Sequence, residues 1–150
     1  MVGGAIGILG TVLGSVVGPF ILQRQKDAAD KKRKRAEKFE ELVGAVAEHS
    51  HWINTLRNAR ISGLGSEDIL SPIVKMRAIS YTYFPEFEEL VQQLENTSYT
   101  YENWMLGAKR KRVMNEPNVT AGHEEIVKIY MEKRQELLTE LKNFARRELQ

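Results

Sequence analysis

The sequence predicts an all-α protein: one N-terminal transmembrane helix continues into a stalk and then into an antiparallel bundle of three to four helices. Three observations lead to this fold class. The first 22 residues contain no charged side chain, and the next 13 are dominated by positive charge. Helical periodicity recurs in the remainder, where strand signals are almost absent. The predicted boundaries are 1–23 for the transmembrane helix, 24–38 for the basic stalk and 39–150 for a cytoplasmic bundle.

The segment 2–22 is long enough to cross a membrane. Its 21 residues would span about 30 Å as an α-helix, which matches the hydrocarbon core of a bilayer. A cleaved signal peptide is one alternative, but it usually begins with basic side chains, and none precedes this run. A buried helix of a soluble protein is another, but each glycine would cost it up to about 1 kcal/mol in helix propensity. We therefore predict a transmembrane helix, in which glycine and Pro19 are tolerated.

The residues after this segment predict its orientation. Basic residues outnumber acidic ones by five between positions 24 and 35, and no lysine or arginine precedes the segment. The positive-inside rule therefore predicts a single-pass protein whose C-terminal domain is cytoplasmic. Because the whole chain carries only +2, the body beyond this cluster is mildly acidic. The residues expected to contact anionic lipid headgroups here are Lys31, Lys32, Arg33, Lys34 and Arg35.

The glycines of the segment recur with helical spacing. Gly3, Gly7, Gly10, Gly14 and Gly18 are separated by steps of 4, 3, 4 and 4 residues, which places them within about 80° of one helix face. Small residues at this spacing allow membrane helices to approach each other closely. We therefore predict a glycine zipper that packs against a second copy, giving a homo-oligomer, or against another membrane helix. The alternative is that glycine is simply common in membrane helices.

The chain beyond the segment, about 125 residues, is enough for one domain with a hydrophobic core. It has no cysteine, which excludes disulfides and thiolate metal sites and suits a reducing cytosol. The first helix is predicted to run from residue 26 to about Asn58, because no proline interrupts it. Its core-facing stripe is Phe39, Leu42, Val43, Val46, Ile53 and Leu56, with Trp52 beside it.

Proline, serine and glycine predict the next boundaries. The first break falls at 62–66, where serine and glycine cluster. Ser71 and Pro72 predict an N-cap followed by proline at the first helical position. Pro85 lacks an amide donor, so it ends that helix and begins the next one.

Whether the helix after Pro85 extends past 96–98 is left open by the sequence. A loop containing Gly107, the basic run 109–112 and Pro117 is expected to follow. Thr120 or Gly122 then opens the last helix. Several amphipathic helices joined by short connections predict an antiparallel bundle.

Three features occur together along the chain: the glycine-rich N-terminal segment, the basic stalk, and a later helix with the sequence MRAISYTYFPEF at 76–87. This layout resembles a scattered group of small bacterial membrane-anchored proteins. The resemblance implies a bacterial inner (plasma) membrane and a cytosolic helical domain. It implies no activity and no functional residues.

No pattern in the sequence predicts catalysis, a metal site or a cofactor. Glu48 and His51 form one Glu-x-x-His pair, but a di-iron bundle needs a second such pair, and Thr120 stands three residues before His123. His49 and His51 lie nearly opposite each other on a helix, so we interpret them as surface or boundary residues. No phosphate-binding loop or nucleophile elbow is present. We therefore expect a protein that is not an enzyme.

The basic run at 109–112 has three interpretations. It is a solvated loop, or it contacts anionic lipid, or it meets nucleic acid with help from Tyr101 and Trp104. Lipid contact is preferred because the predicted membrane tether would already place the run near headgroups. The net negative charge of the body outside the basic clusters argues against nucleic acid as a partner. The residues assigned to lipid contact here are Lys109, Arg110, Lys111 and Arg112.

These inferences predict a membrane-anchored helical scaffold that assembles through its glycine-faced helix and recruits a cytosolic protein partner. Two alternatives belong to other classes. One is a small pore-forming or membrane-disrupting effector of the toxin or phage-lysis type. The other is an accessory subunit of a larger membrane complex.

Overall fold

The computed structural model describes residues 6–148, with side chains from Lys26 onward. Within that range the chain forms four α-helices and no strand. The helices are α1 (Ile6–Arg57), α2 (Ile73–Tyr83), α3 (Glu88–Val113) and α4 (His123–Glu148). A π-helical turn, Asn58–Ser62, extends α1, and a 3-10 turn, Pro85–Phe87, precedes α3. The helical content indicated by the periodicity agrees with this architecture.

The membrane component of the predicted fold class requires correction. Over the part of the chain that the structure describes, no helix combines the length and the apolar character needed to cross a bilayer. Helix α1 has the length, with 52 residues, but charged side chains recur in every turn from Lys26 to Lys38. We therefore regard three predictions as wrong: the transmembrane helix at 1–23, the single-pass topology and the inner-membrane location. The predicted glycine face, Gly3, Gly7, Gly10, Gly14 and Gly18, lies outside the residues whose side chains are described.

The chain divides into two compact units, Met1–Glu37 and Lys38–Gln150. In the first unit, the side chains at 26–35 are exposed. Arg33 forms two surface ion pairs there, with Asp30 at 3.5 Å and with Glu37 at 3.8 Å. Exposed pairs of this kind contribute less than about 1 kcal/mol each. The second unit, called the bundle unit below, contains the hydrophobic core.

Helix α1 supplies the bundle unit with a stripe of buried side chains. Leu42, Val46, Ile53 and Leu56 are almost completely buried, and their spacings of four, seven and three residues keep them on one face. Val43, predicted in the same stripe, is 38% exposed. Its side chain points about 100° around the helix from Leu42. Other buried positions of α1 are Phe39, Ala45, His49 and Trp52, and Ala59 is buried in the π-helical turn that follows.

Four phenylalanines form one end of the core. The Phe84 ring has no exposed surface and packs edge-on against Phe39 and Phe144, with ring centroids 5.7 and 5.6 Å away. Phe87 packs edge-on against Phe144 at 5.4 Å. Pro85 brings Phe84 and Phe87 together, because it interrupts the helix and the 3-10 turn then carries both rings inward.

Helix α3 is longer than the sequence predicts. It continues through 96–98 and through Gly107 and the basic run 109–112, which we predicted to be a loop. Thr97, Ser98 and Thr100 each donate a hydrogen bond to the carbonyl four residues earlier, so these hydroxyls are satisfied within the helix. No proline lies between Glu88 and Val113, and the helix therefore ends only after the basic run.

The connection between α1 and α2 is fixed by side-chain hydrogen bonds. Trp52 donates from Nε1 to the carbonyl of Ile69 at 3.1 Å. The Glu67 carboxylate accepts from Arg60 at 3.3 Å and also from Lys109 of α3. Helix α2 begins at Ile73, one residue later than predicted, so Pro72 rather than Ser71 occupies the N-cap position. Ser71 Oγ still accepts a hydrogen bond from the amide of Ile73 at 3.4 Å.

The connection between α3 and α4 turns through three left-handed residues. Asn115, Asn118 and Gly122 have φ values of 54°, 59° and 78°. Asparagine and glycine adopt this conformation more readily than other residues do. Helix α4 begins at His123, directly after Gly122, and its buried residues are Tyr130, Leu137, Leu141 and Phe144.

Candidate functional site

One buried histidine joins three helices of the bundle unit. His49 of α1 has no exposed surface. Its Nδ1 lies 3.1 Å from the hydroxyl of Tyr130 on α4, and its Nε2 lies 3.3 Å from the hydroxyl of Ser98 on α3. Both ring nitrogens therefore have partners inside the core. This corrects the interpretation of His49 as a surface or boundary residue.

The surrounding groups fix the tautomer of His49. Ser98 donates its hydrogen to the carbonyl of Leu94 at 2.6 Å, so its oxygen accepts from Nε2 of His49. Nδ1 is then the acceptor, and it receives the hydroxyl hydrogen of Tyr130. Burial raises the pKa of Tyr130, which keeps this hydroxyl protonated. The three side chains form one directed chain of hydrogen bonds from Tyr130 to His49, Ser98 and Leu94.

Burial disfavours the charged form of His49. Desolvation, assisted by the positive charge of Arg134, lowers the pKa of His49 to about 4. The imidazole is therefore neutral near neutral pH. Because Nε2 donates to Ser98 rather than accepting from it, His49 is not arranged to activate that hydroxyl as a nucleophile. We interpret this cluster as part of the folded core.

A second polar cluster lies where the end of α1 approaches the start of α4. The buried hydroxyl of Tyr101 lies 3.2 Å from Nε2 of His123. The imidazole of His123 also packs against the indole of Trp104, with ring centroids 5.0 Å apart. Burial raises the pKa of Tyr101, and the nearby guanidinium of Arg57 partly opposes that rise. Tyr101 therefore remains a neutral phenol that can donate to His123.

A cleft of about 240 Å³ lies beside this cluster. Its lining combines one cation with several neutral hydrogen-bonding groups. The lining residues are Arg57, Asn58, Ile61, Ser62, Thr120 and His123. No carboxylate is among them. We refer to this site as the Arg57 cleft.

The four basic residues at 109–112 do not act as one patch. Lys109 is bound to Glu67, and the guanidinium of Arg112 lies against Gly63. Arg110 and Lys111 form no ion pair with any described residue, and Arg110 is exposed. The run therefore presents two available cations rather than four.

The exposed side of α3 carries apolar side chains at a seven-residue spacing. Tyr99, Leu106 and Val113 are 66%, 40% and 68% exposed. Seven residues bring the helix back to nearly the same face, so these side chains form one stripe, with Arg110 and Met114 beside it. A shallow apolar groove of about 300 Å³ follows its C-terminal half. We call Tyr99, Leu106, Arg110, Val113 and Met114 the outer stripe of α3.

The aromatic residues that could have supported nucleic-acid binding are not available for base stacking. Tyr101 is buried in the core. The Trp104 indole is partly buried, and its Nε1 donates to the carbonyl of Ala121 at 2.8 Å. Both rings instead pack the end of α3 against the start of α4.

Among the residues that the structure describes, no three histidine or acidic side chains are grouped closely enough to hold a metal ion. The structure does not bring Glu48 and His51 together with His123. It instead brings together His49, Ser98 and Tyr130, a grouping that the sequence analysis did not predict. Their helical spacing was a usable signal, because each lies three or four residues from buried or partly buried apolar positions.

Comparison with protein-family models, with curated protein sequences and with solved structures gave no significant match. The resemblance to small bacterial membrane-anchored proteins gains no support from these comparisons.

Proposed function

We propose that the bundle unit is a protein-interaction module whose outer stripe of α3 binds an acidic amphipathic helix of a partner protein. One observation carries this proposal. Tyr99, Leu106 and Val113 repeat every seven residues on a face that takes no part in the core. A second helix lying alongside α3 would meet one of these side chains about every two turns.

Burial of the stripe would supply the binding free energy. Fully burying a side chain such as Leu106 or Val113 contributes about 1.5–3 kcal/mol. Met114 adds a flexible side chain that adapts to different partner surfaces. The α3 side chains that hold the bundle together lie on another face, at Val91, Leu94, Ser98, Tyr101, Met105 and Ala108. The stripe can therefore bind without opening the core.

The charge beside the stripe favours an acidic partner. Arg110 lies within the stripe, is exposed, and has no ion pair among the described residues. A carboxylate on the edge of a partner helix would complement this cation. Such contacts raise the association rate and give specificity, and they weaken as salt screens them.

Binding of designed helical peptides tests the proposal. Two amphipathic peptides would share an apolar face of leucine and isoleucine, and one would carry glutamate where the other carries lysine. Fluorescence anisotropy should show that the glutamate peptide binds the full chain more tightly, with an affinity that falls at high salt. Equal binding of the two peptides would contradict the proposed charge preference.

Paired variants locate the binding surface. Leu106→Gln with Val113→Gln should weaken binding about tenfold or more. Val74→Gln with Tyr81→Gln removes two comparably exposed side chains from α2, 70% and 74% exposed, and should leave binding unchanged. If only the α2 pair weakens binding, the interaction surface lies on α2 and the proposal is wrong.

Two further outcomes would also overturn the proposal. Sedimentation of the unmodified chain could reveal self-association that Leu106→Gln with Val113→Gln abolishes, and the stripe would then bind a second copy. Tighter binding of duplex DNA or RNA than of the glutamate peptide would identify the Arg110 surface as a nucleic-acid contact.

A further inference from the structure

The Arg57 cleft is separate from the outer stripe of α3 and has a different chemistry. Its polar groups come from two distant parts of the chain. Arg57, Asn58 and Ser62 lie at the end of α1 and in the π-helical turn, and Thr120 and His123 lie at the start of α4. Short π-helical segments frequently occur at functional sites.

The hydrogen bonds around the cleft leave donors facing it. Nε2 of His123 lies 3.2 Å from the hydroxyl of Tyr101, which leaves Nδ1 as the ring nitrogen that can contact a ligand. Arg57 uses one of its five N–H groups on Asn58, at 3.4 Å, and its guanidinium also lies beside Tyr101. The hydroxyls of Ser62 and Thr120 add two groups that can donate.

The charge in the cleft has one sign. Arg57 is permanently cationic, and none of the other lining residues is acidic. Glu124 and Glu125 follow His123 in the chain, but they do not line the cleft. A volume of about 240 Å³ accommodates a small group with several oxygen atoms but not a large cofactor.

We propose that the Arg57 cleft binds a small oxyanion, the phosphoryl or carboxylate group of a metabolite or of a protein side chain. A guanidinium recognises both groups through paired, charge-assisted hydrogen bonds. Hydroxyl groups and an imidazole N–H complete a shell of donors around such an anion. The ligand class is thus defined by an anionic charge and by at least two acceptor oxygens.

Titration of the full chain by NMR tests this proposal. The probes are inorganic phosphate, acetate and chloride, added at constant ionic strength. The side-chain resonances of Arg57 and His123 should shift saturably with phosphate or acetate and not with chloride. Saturation by phosphate alone identifies a phosphoryl site, and saturation by both anions identifies a general oxyanion site. Equal shifts with chloride would overturn the proposal.

Matched variants show whether the cleft is responsible. Arg57→Gln should weaken anion binding about tenfold or more, because it removes the charged donor. Arg146→Gln removes an exposed cation outside the cleft and should leave the affinity unchanged. Thr120→Val changes the lining without touching Arg57 and should weaken binding several-fold. If Arg146→Gln weakens binding as much as Arg57→Gln, the effect is one of general charge and the cleft is not a site.

Discussion

The hydroxyl of Tyr130 lies 3.1 Å from Nδ1 of His49, which links α4 to α1 inside the core of the bundle unit. The opposite ring nitrogen contacts Ser98 of α3 at 3.3 Å. One imidazole therefore connects three helices, and it does so only in its neutral form, because a protonated ring has no acceptor to offer Tyr130. Several properties of the protein should depend on this arrangement.

The stability of the protein should fall as pH falls from about 6.5 to about 4. The unfolded imidazole has its ordinary pKa of 6.5, whereas burial lowers the pKa of folded His49 to about 4. Between these values the unfolded chain binds a proton that the folded chain does not, so the free energy of unfolding decreases by about 3 kcal/mol in total. Urea unfolding at a series of pH values measures this loss.

Two histidine variants isolate the contribution of His49. His49→Gln should show a smaller decrease of stability over the same pH range, whatever its stability at neutral pH. His51→Gln changes an exposed neighbour and should retain the full decrease. Equal pH dependence of the unmodified protein and His49→Gln would assign the loss to other groups.

Removal of the Tyr130 hydroxyl should destabilise the fold. Tyr130→Phe keeps the ring but leaves Nδ1 of His49 buried without a donor, which costs about 1–3 kcal/mol. Tyr99→Phe removes a hydroxyl from an exposed side chain and should change stability by less than about 0.5 kcal/mol. Chemical denaturation of both variants provides the comparison. A Tyr130→Phe variant as stable as the unmodified protein would contradict the inferred direction of this hydrogen bond.

Alanine substitutions at two glycines should change the stability of the protein in opposite directions. Gly63 has φ of 72°, so Gly63→Ala places a side chain in the left-handed region and should cost about 1–2 kcal/mol. Gly44 lies inside α1, and the space that an added methyl group would occupy there is open, so Gly44→Ala should stabilise by about 0.5–1 kcal/mol. Thermal unfolding measures both changes.

An experiment can separate the backbone strain of Gly63→Ala from a steric clash of the added side chain. A Cβ at position 63 would collide with the end of the flexible Arg112 side chain, which can move away. Adding Gly63→Ala to the Arg112→Ala variant should therefore still lower the free energy of unfolding by most of the amount that Gly63→Ala costs in the unmodified protein. Full rescue by Arg112→Ala would show that the contact, and not the backbone, carries the cost.

Truncation of Phe84 should be the most damaging of these changes. Phe84→Ala removes a ring with no exposed surface that contacts Phe39, Phe87 and Phe144, at a cost of about 3–5 kcal/mol. Tyr81→Ala, only three residues earlier but 74% exposed, should cost far less. Similar losses for the two variants, measured by urea unfolding, would show that the phenylalanine cluster is not a principal part of the core.

The sequence is sufficient to predict the features that depend on local spacing. Leu42, Val46, Ile53 and Leu56 are identified as one buried face because their positions repeat with the period of the helix. The interruption at Pro85 is equally local, since the missing amide and the ring act on neighbouring residues. These properties require no knowledge of what packs against the helix.

Features that depend on distant residues were not predicted. The partners of His49 lie 49 and 81 residues away, so no spacing rule connects them. Helix α3 continues through the basic run because its hydroxyls bond within the helix and no proline stops it, and composition alone suggested a loop. The transmembrane prediction relied on composition in the same way. The Arg57 cleft exists only once the start of α4 is brought to the end of α1.

The chain of hydrogen bonds through His49 also constrains how the helices can slide along one another. Displacing α3 or α4 by a single turn, about 5.4 Å, would separate His49 from Ser98 or Tyr130 and leave polar atoms buried without partners. Leucine and phenylalanine contacts would tolerate several such axial alignments, since they depend on area rather than direction. We therefore expect the imidazole to select one alignment of three helices.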